Sequence, residues 1–498
     1  EVNCMKYIST RDHSACPKKV TAAEAIKKGL CDDGGLFVPD EIPKLTHGDV
    51  ERLIEMTYPQ RAAYVLSMFL PEYDRTILEG DCHTAYAHER FPGGAAPLYP
   101  ISDDFYALEL WHGPTCAFKD MALQIMPRLL SSALKMTGET ETAYILVATS
   151  GDTGKAALEG YRDVDGVKIA VFYPDEGVSP MQKRQMCTQE GNNVYVCAVR
   201  GNFDDAQTGV KKIFADHALA EKAHEHGFFF SSANSINWGR LVPQIVYYIS
   251  AYCDLIRRGT IASGDEIDVC VPTGNFGNIF AAYLAREMGI PIARLVCASN
   301  RNNVLTDFIA TGTYDRTRDF HKTMSPSMDI LISSNLERLL YMLCGAEVTA
   351  ELMDSLAKTG KYTLPAEFQE ELRALFSGYY CTEEETAAAI RDTYASAHYL
   401  IDPHTAVGLG AVKKYRAETG DDRVMVLAST ASPYKFAADV CRSLGVNAEN
   451  TDGAALLDAL ANATGTEIPA PLTATLTKPV RFSDVIDPVF MPDVPFTH

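Results

Sequence analysis

One lysine stands where it could act as a nucleophile. Lys119 lies in Leu110 to Gln124, LWHGPTCAFKDMALQ. A turn built on Gly113 and Pro114 leads to Phe118, Lys119 and Asp120, where a helical pattern begins. An ammonium at a helix start sits near the positive end of the helix dipole, which disfavours its charge. Partial burial beside Ala117 and Phe118 acts in the same direction. A lysine of lowered pKa is suited to forming a Schiff base with a carbonyl. On this stretch alone a solvated lysine in a first helical turn is the commoner arrangement, so the other loops decide.

Those loops are rich in glycine and small polar residues. In VPTGNFGN, Gly274 and Gly277 let the backbone approach an anion, and the amides of Asn275, Phe276, Gly277 and Asn278 open a helix that can cradle a phosphate. A tight turn with a helix cap would use the same residues. ATSGDTGKAA is not a P-loop: Thr149 stands where the first glycine belongs, and Ala156 where a hydroxyl should follow the lysine. The hydroxyls of Thr149, Ser150 and Thr153 fit a carboxylate at a helix start, or a capping cluster. NSINWGR offers Asn234, Ser235, Asn237 and Arg240, the last able to grip a phosphate in two-pronged fashion or to sit on the surface. STASPYK presents Ser429 and Thr430 just past a strand, where a neutral hydroxyl suits an unprotonated ring nitrogen. There is no G-x-S-x-G, no dinucleotide fingerprint after a strand and no zinc spacing. A reactive lysine, two anion loops, a carboxylate loop and a ring-nitrogen hydroxyl are the parts pyridoxal phosphate chemistry needs.

The elements that must position these loops follow from the pattern. Residues 5 to 98 read as mainly helical, with Thr21 capping a helix that Gly29 closes. Pro127 interrupts the apolar helix after Lys119, so a kink or break is expected there. From AYILVATS onward, strands alternate with helices (VKIAVFYP, NVYVCAVRG, IDVCVP, IARLVCASN, RVMVLAST), the pattern of an α/β fold with parallel sheets. Residues 302 to 400 read as helices and longer connections, including TGTYDRTRDFHKTMSP (311–326), a candidate flexible flank of the site; whether 313 to 330 form a mobile lid is left open by the sequence. The tail from Asn447 reads as partly helical, then Pro-rich and extended. With 498 residues, 47% apolar and 22% charged, the chain has room for two or three domains. A net charge of −20 speaks against nucleic acid and acidic membranes as partners, and no apolar run reaches the length of a membrane span. The 13 cysteines, without a C-x-x-C pair, point to free thiols in a reducing cytoplasm. The start lacks a signal pattern, and Met5 reads as the natural first residue.

Taken together, HGPTCAFKD, TSGDTG, GNFDDAQ, NSINWGR, PTGNFGN and DPHTAVG resemble the threonine synthase family, within the fold-type II pyridoxal-phosphate enzymes. The resemblance runs from MKYISTR and DDGGLFVP to EIPAPL and KPVRF. It implies two parallel-sheet α/β domains behind the helical one: a larger, cofactor-binding domain of residues 99–128 and 252–498, and a smaller one of 129–251. It implies pyridoxal 5'-phosphate on Lys119, its phosphate on Gly274 to Asn278, Asp152 beside its phenolic oxygen and Thr430 at its ring nitrogen. It also implies a substrate phosphate held by Asn234, Ser235 and Arg240 and a substrate carboxylate by Thr149, Ser150 and Thr153. The implied reaction turns O-phospho-L-homoserine and water into L-threonine and phosphate, on a monomer or homodimer. Serine or threonine dehydration on the same fold, or a non-catalytic relative that binds a phosphoester, are the alternatives. One departure stands out: Ser432, in TASPYKF, occupies the place of a family histidine expected to touch substrate.

Overall fold

The computed structural model describes residues 5–149, 151–175, 178, 180–448 and 453–498, without the side chains of 203 and 204. Two sheets organise it, with a helical N-terminal region packed behind them. The larger sheet runs, edge to edge, Phe376–Tyr380, Ile292–Ser299, Ile267–Pro272, Val424–Ser429, Phe105–Glu109 and Leu98–Ser102. All its pairings are parallel except the last, which is antiparallel. The smaller sheet is parallel throughout, in the order Val485–Ile486, Val194–Val199, Val167–Pro174, Thr142–Ala148 and Phe228–Ser231. Their central strands are buried along almost their whole length, as parallel strands covered on both faces must be.

The local signals act as their chemistry dictates. Thr21 accepts from the Glu24 amide in a capping box that starts Ala22–Lys28, and Gly29 ends that helix at φ 72°. The apolar run after Lys119 breaks into Asp120–Leu123 and Met126–Met136, with Pro127 in the first turn of the second helix. There its missing N–H costs nothing.

The sequence reading does not name the hairpin Leu98–Ser102 and Phe105–Glu109 at the edge of the larger sheet, or the antiparallel pair Thr313–Asp315 and Lys361–Thr363, and two further elements depart from it. Residues 302–400, read as helices and connections, also contain Phe376–Tyr380, the edge strand of the larger sheet. Its sequence FSGYY does not alternate, and Gly378 lies flush against the Val304–Thr311 helix, where an added Cβ would meet the Thr306 Cα at 3.0 Å. The tail, read wholly with the larger unit, sends Val485–Ile486 across to pair with Val194–Val199 of the smaller sheet.

The sheets aim the chemistry. Phe105–Glu109, Val424–Ser429 and Ile267–Pro272 are near neighbours in one sheet, and their carboxyl ends lead into the loops of Lys119, Thr430 and Gly274. The carboxyl ends of Thr142–Ala148 and Phe228–Ser231 lead into the loops of Asp152 and Asn234. Ligands of open α/β sheets gather at such ends.

Candidate active site

Lys119, Asp152 and Thr430 line one pocket with Ala117, Phe118, Ser327, His404 and Ala431. The loop before Lys119 is fixed from both sides. Asp120 accepts from the Thr115 amide (2.8 Å) and hydroxyl (2.7 Å), and Ala117 bridges to Ala431 with Phe118 N–H donating to the Thr430 carbonyl at 2.8 Å. Burial pushes the Asp120 carboxyl up to about 6, against the pull of those two donors.

The Lys119 amine is lowered to about 8. Desolvation is the main cause; Asp152 opposes it, while Arg240 and Lys435 add to it. The helix that follows is a single turn, so the dipole invoked from sequence contributes little beside burial and two neighbouring cations. Asp152 behaves in the opposite way. Burial disfavours its charge, yet Lys435 and Lys119 outweigh that and lower it to about 2. Lys435 Nζ lies 2.6 Å from Asp152 Oδ1, which also accepts from Gln182 Nε2 at 3.1 Å.

The hydroxyls at the larger sheet divide their work. Ser429 Oγ is engaged by Trp111 Nε1 (3.1 Å) and Thr405 Oγ1 (3.0 Å). The Thr430 hydroxyl has no hydrogen bond among the described residues, and the residue is 5% exposed, toward the pocket. Beside it, buried His404 donates through Nδ1 to Asp402 (2.7 Å) and accepts at Nε2 the Ser327 amide (3.1 Å). This pairing holds one edge of the 316–329 loop against the pocket. Asn300, Asn302 and Thr323 bind Asp329 in the same loop, so hydrogen bonds tie this flank to the wall of the pocket.

The 274–278 loop abuts that wall. A Cβ on Gly274 would meet the Ser327 carbonyl at 2.7 Å, so only glycine fits. Phe276 sits at φ 66°, a region non-glycine residues seldom adopt, and its ring packs on Phe376 at 5.8 Å. The first helical bond of Gly277–Glu287 runs from the Phe280 amide to the Phe276 carbonyl. The amides of 276 to 279 therefore make no bond within the helix. Asn278 Oδ1 is held by Tyr247 (2.8 Å) and Tyr248, leaving its Nδ2 buried and unpartnered.

Arg240 lies in the first turn of Trp238–Arg257, which Asn237 caps by accepting from the Gly239 amide at 2.9 Å. It is 5% exposed and donates from Nη1 to the Ala233 carbonyl at 2.5 Å; its Nε has no partner, and no carboxylate pairs with it among the described residues. Burial lowers it to about 10, an unusual value for a guanidinium. Asn234 is exposed and Ser235 half-buried on the loop ahead of it. Asn335 ties this loop to the 274–278 loop, its amide donating to Asn275 (2.9 Å) and its Nδ2 to Ser235 (3.4 Å). Arg338 braces Asn335 and spans Ile236 (2.6 Å) and Phe37 of the N-terminal region (2.9 Å).

In the TSGDTG loop the Thr149 hydroxyl accepts the amides of Gly151 (3.0 Å) and Gly154 (2.9 Å). It is thus engaged inside the loop, the capping arrangement, with no free side for a ligand carboxylate. Gly151, at φ 150° with the Gln182 side chain where its Cβ would be, is the pivot of that turn. Thr153 is half-buried. Ser150 lies outside the described residues.

Sequence reasoning singled out Lys119, Asp152, Thr430, the 274–278 loop and Arg240. It passed over Lys435, His404, Ser327, Asn335 and Arg338. His404 and Lys435 lay inside quoted motifs, DPHTAVG, whose Asp-Pro start also marks a helix cap, and TASPYKF; the others join across long stretches of chain. Ser432, at the family-histidine position, is fully buried and caps the Pro433–Phe436 turn by accepting the Tyr434 amide at 3.3 Å.

Comparison with known proteins shows the family to which this chain is similar. A model described as pyridoxal-phosphate dependent enzyme matches residues 94–430, flanked by threonine synthase N terminus at 6–86 and threonine synthase, C-terminal at 405–488. Threonine synthase of Pseudomonas aeruginosa is 40% identical, over 87% of this chain and 89% of its own. Threonine synthase-like 1 of Homo sapiens is 41% identical over 90% of this chain, which spans 62% of that longer protein. The crystal structure of PLP bound threonine synthase from Brucella melitensis matches with a TM-score of 0.86 at 35% identity, covering 97% of both chains. The yeast threonine synthase structure gives 0.87 at 32%, covering 99% of this chain and 97% of that one. Three consecutive family models, relatives matched over most of their length and the two-sheet fold agree: this chain belongs to the threonine synthase family.

Proposed function

We propose that this chain uses pyridoxal 5'-phosphate to convert O-phospho-L-homoserine and water into L-threonine and phosphate. The residues fit the cofactor. Lys119 is its covalent attachment point, the orphan amides of 276 to 279 and the unpartnered Asn278 Nδ2 receive its phosphate, and the Thr430 hydroxyl meets its ring nitrogen. Bound there, it supplies an electron sink that makes protons at the substrate's Cα and Cβ removable. The protein does the rest. Lys119 would move those protons as base and then acid, a role suited to an amine lowered to about 8. The Cγ–O bond to phosphate breaks, Cγ takes up a proton to become the methyl, and water adds its hydroxyl at Cβ as Cα is reprotonated. Arg240, with Asn234 and Ser235, receives the departing phosphate. Amides at the start of Asp152–Tyr161, in the loop of Thr149, Ser150 and Thr153, meet the substrate carboxylate; the Thr149 hydroxyl shapes that loop from within.

Arg240 carries the choice of reaction. A buried guanidinium without a counter-ion costs several kcal/mol unless an anion arrives, and the cofactor's phosphate already has its own loop. A serine or threonine dehydratase has no second phosphate to bind. We place the enzyme in the cytoplasm on its twelve unpaired described cysteines, acting as a monomer or homodimer; among the described residues no helix is long and apolar enough to cross a membrane. Purified protein given O-phospho-L-homoserine should release phosphate and threonine in equal amounts. Ammonia from serine or threonine, without phosphate release, would establish the dehydratase instead.

A further inference from the structure

Lys435 is absent from the pocket lining yet touches two segments that build it and belongs to a third. Its Nζ lies 2.6 Å from Asp152 Oδ1 and donates to the Thr115 carbonyl at 2.8 Å, in the loop that delivers Lys119. Its own turn, Pro433–Phe436, follows Thr430. One ammonium thus ties the first turn of a smaller-sheet helix to two loops of the larger sheet. Both members of the ion pair are almost completely shielded, with side chains 0% and 5% exposed. The second carboxylate oxygen, Oδ2, takes no hydrogen bond from the described residues.

A bare carboxylate is a poor neighbour for the cofactor's phenolic oxygen, which bears negative charge. It would also pull protons onto Lys119. We infer that Lys435 is a positioning residue for the cofactor: it neutralises Asp152 from behind, so that a carboxylate serves where an uncharged partner is required, and it holds the Lys119 loop in register with that carboxylate. The other titratable groups facing this pair are Lys119, which also feels Arg240, and, on the loop that Lys435 touches, the buried Asp120 and Cys116. Around Lys119, Asp152 and Lys435 act with opposite sign, so each cancels part of the other's effect. Removing one partner leaves an uncompensated buried charge, whereas removing both restores neutrality.

The inference rests on the cofactor reading, and one titration separates the two. The cofactor-loaded full chain is titrated with pH while its visible absorption band is followed, in wild type, Lys435→Met, Asp152→Asn and the double variant. Losing the cation favours protonation of the carbon–nitrogen linkage at Lys119, so Lys435→Met should move the midpoint up by about one pH unit. Asp152→Asn should move it down by a similar amount. The double variant should return toward wild type, and Lys435→Arg, which keeps the charge, should stay near it. If Lys435→Met does not fold, Lys435→Gln provides the neutral replacement. Midpoints that ignore Lys435, shift the same way in both single variants or fail to recover in the double would overturn the inference. No visible band in wild type would overturn the cofactor reading instead.

Discussion

The two sides of the site handle charge differently. Around Lys119, Asp152 and Lys435, cation and anion lie in contact, and Asp152 stays ionised despite burial. Around Arg240 the guanidinium has one carbonyl, an idle Nε and no carboxylate among the described residues. Both regions are shielded from water, so the contrast does not come from solvent. A compensated cluster is built for a group that stays. An uncompensated cation beside an exposed loop is built for an anion that arrives and leaves, and its unmet charge is stability given up for binding.

The largest expected effect falls on the compensated side. Lys119→Ala removes both the attachment point and the proton shuttle, so turnover should drop at least about a thousandfold and borohydride should fix no cofactor to the chain. A variant that kept its absorption band and its activity would transfer the role to another residue. Arg240→Met comes next and tests the contrast directly. It should retain the visible band and lose on the order of 10²–10³-fold in kcat/KM, the scale for a charge-stabilising contact at a leaving group. Its melting temperature should hold or rise, because a lone buried cation has gone. Inorganic phosphate should raise the melting temperature of the wild type and not of this variant. A melting point several degrees lower, or unchanged phosphate protection, would make Arg240 a structural residue and remove the asymmetry.

The asymmetry was only half legible in the sequence. Loops such as PTGNFGN and TSGDTG advertise themselves because glycine and small polar residues cluster where a strand hands over to a helix, and backbone approach to an anion is a local property. Arg240 could be named for the same reason, since Asn237 caps its helix three residues earlier. That it lacks a partner, and that Asp152 has one in Lys435, are facts of tertiary packing. Nothing in TASPYKF distinguishes a buried counter-ion from a surface lysine. The lowered basicity of Lys119 was expected from a helix dipole and partial burial together; desolvation dominates, and its extent depends on what folds over the side chain. FSGYY was passed over as a strand because its pairing partner, Ile292–Ser299, is distant in the chain and its edge position needs no apolar alternation.

Acidity sharpens the compensated side further. The amine of Lys119 reacts when unprotonated, and unprotonated forms accumulate above the pKa. At about 8, roughly a tenth is reactive at pH 7, against less than about a thousandth for an ordinary lysine. Recapture of cofactor by the stripped chain should therefore speed up as pH rises and level off above about 8. A rate still climbing at pH 10 would mean that the site leaves the lysine unperturbed.

The smallest effect concerns Ser432, at the position where a substrate-touching histidine was expected. Its side chain is fully buried, its hydroxyl caps the turn carrying Lys435, and its amide donates to the Cys116 carbonyl at 3.0 Å. It belongs to the scaffold behind the compensated cluster, out of reach of a ligand. Ser432→Ala should cost about 1 kcal/mol of stability, the usual worth of such a cap, and leave kcat/KM within about twofold, since the backbone bond to Cys116 remains to hold Lys435 in place. A large loss of kcat/KM without loss of stability would put Ser432 in contact with substrate after all and extend the ligand-facing surface from the Arg240 side into the region assigned here to the cofactor.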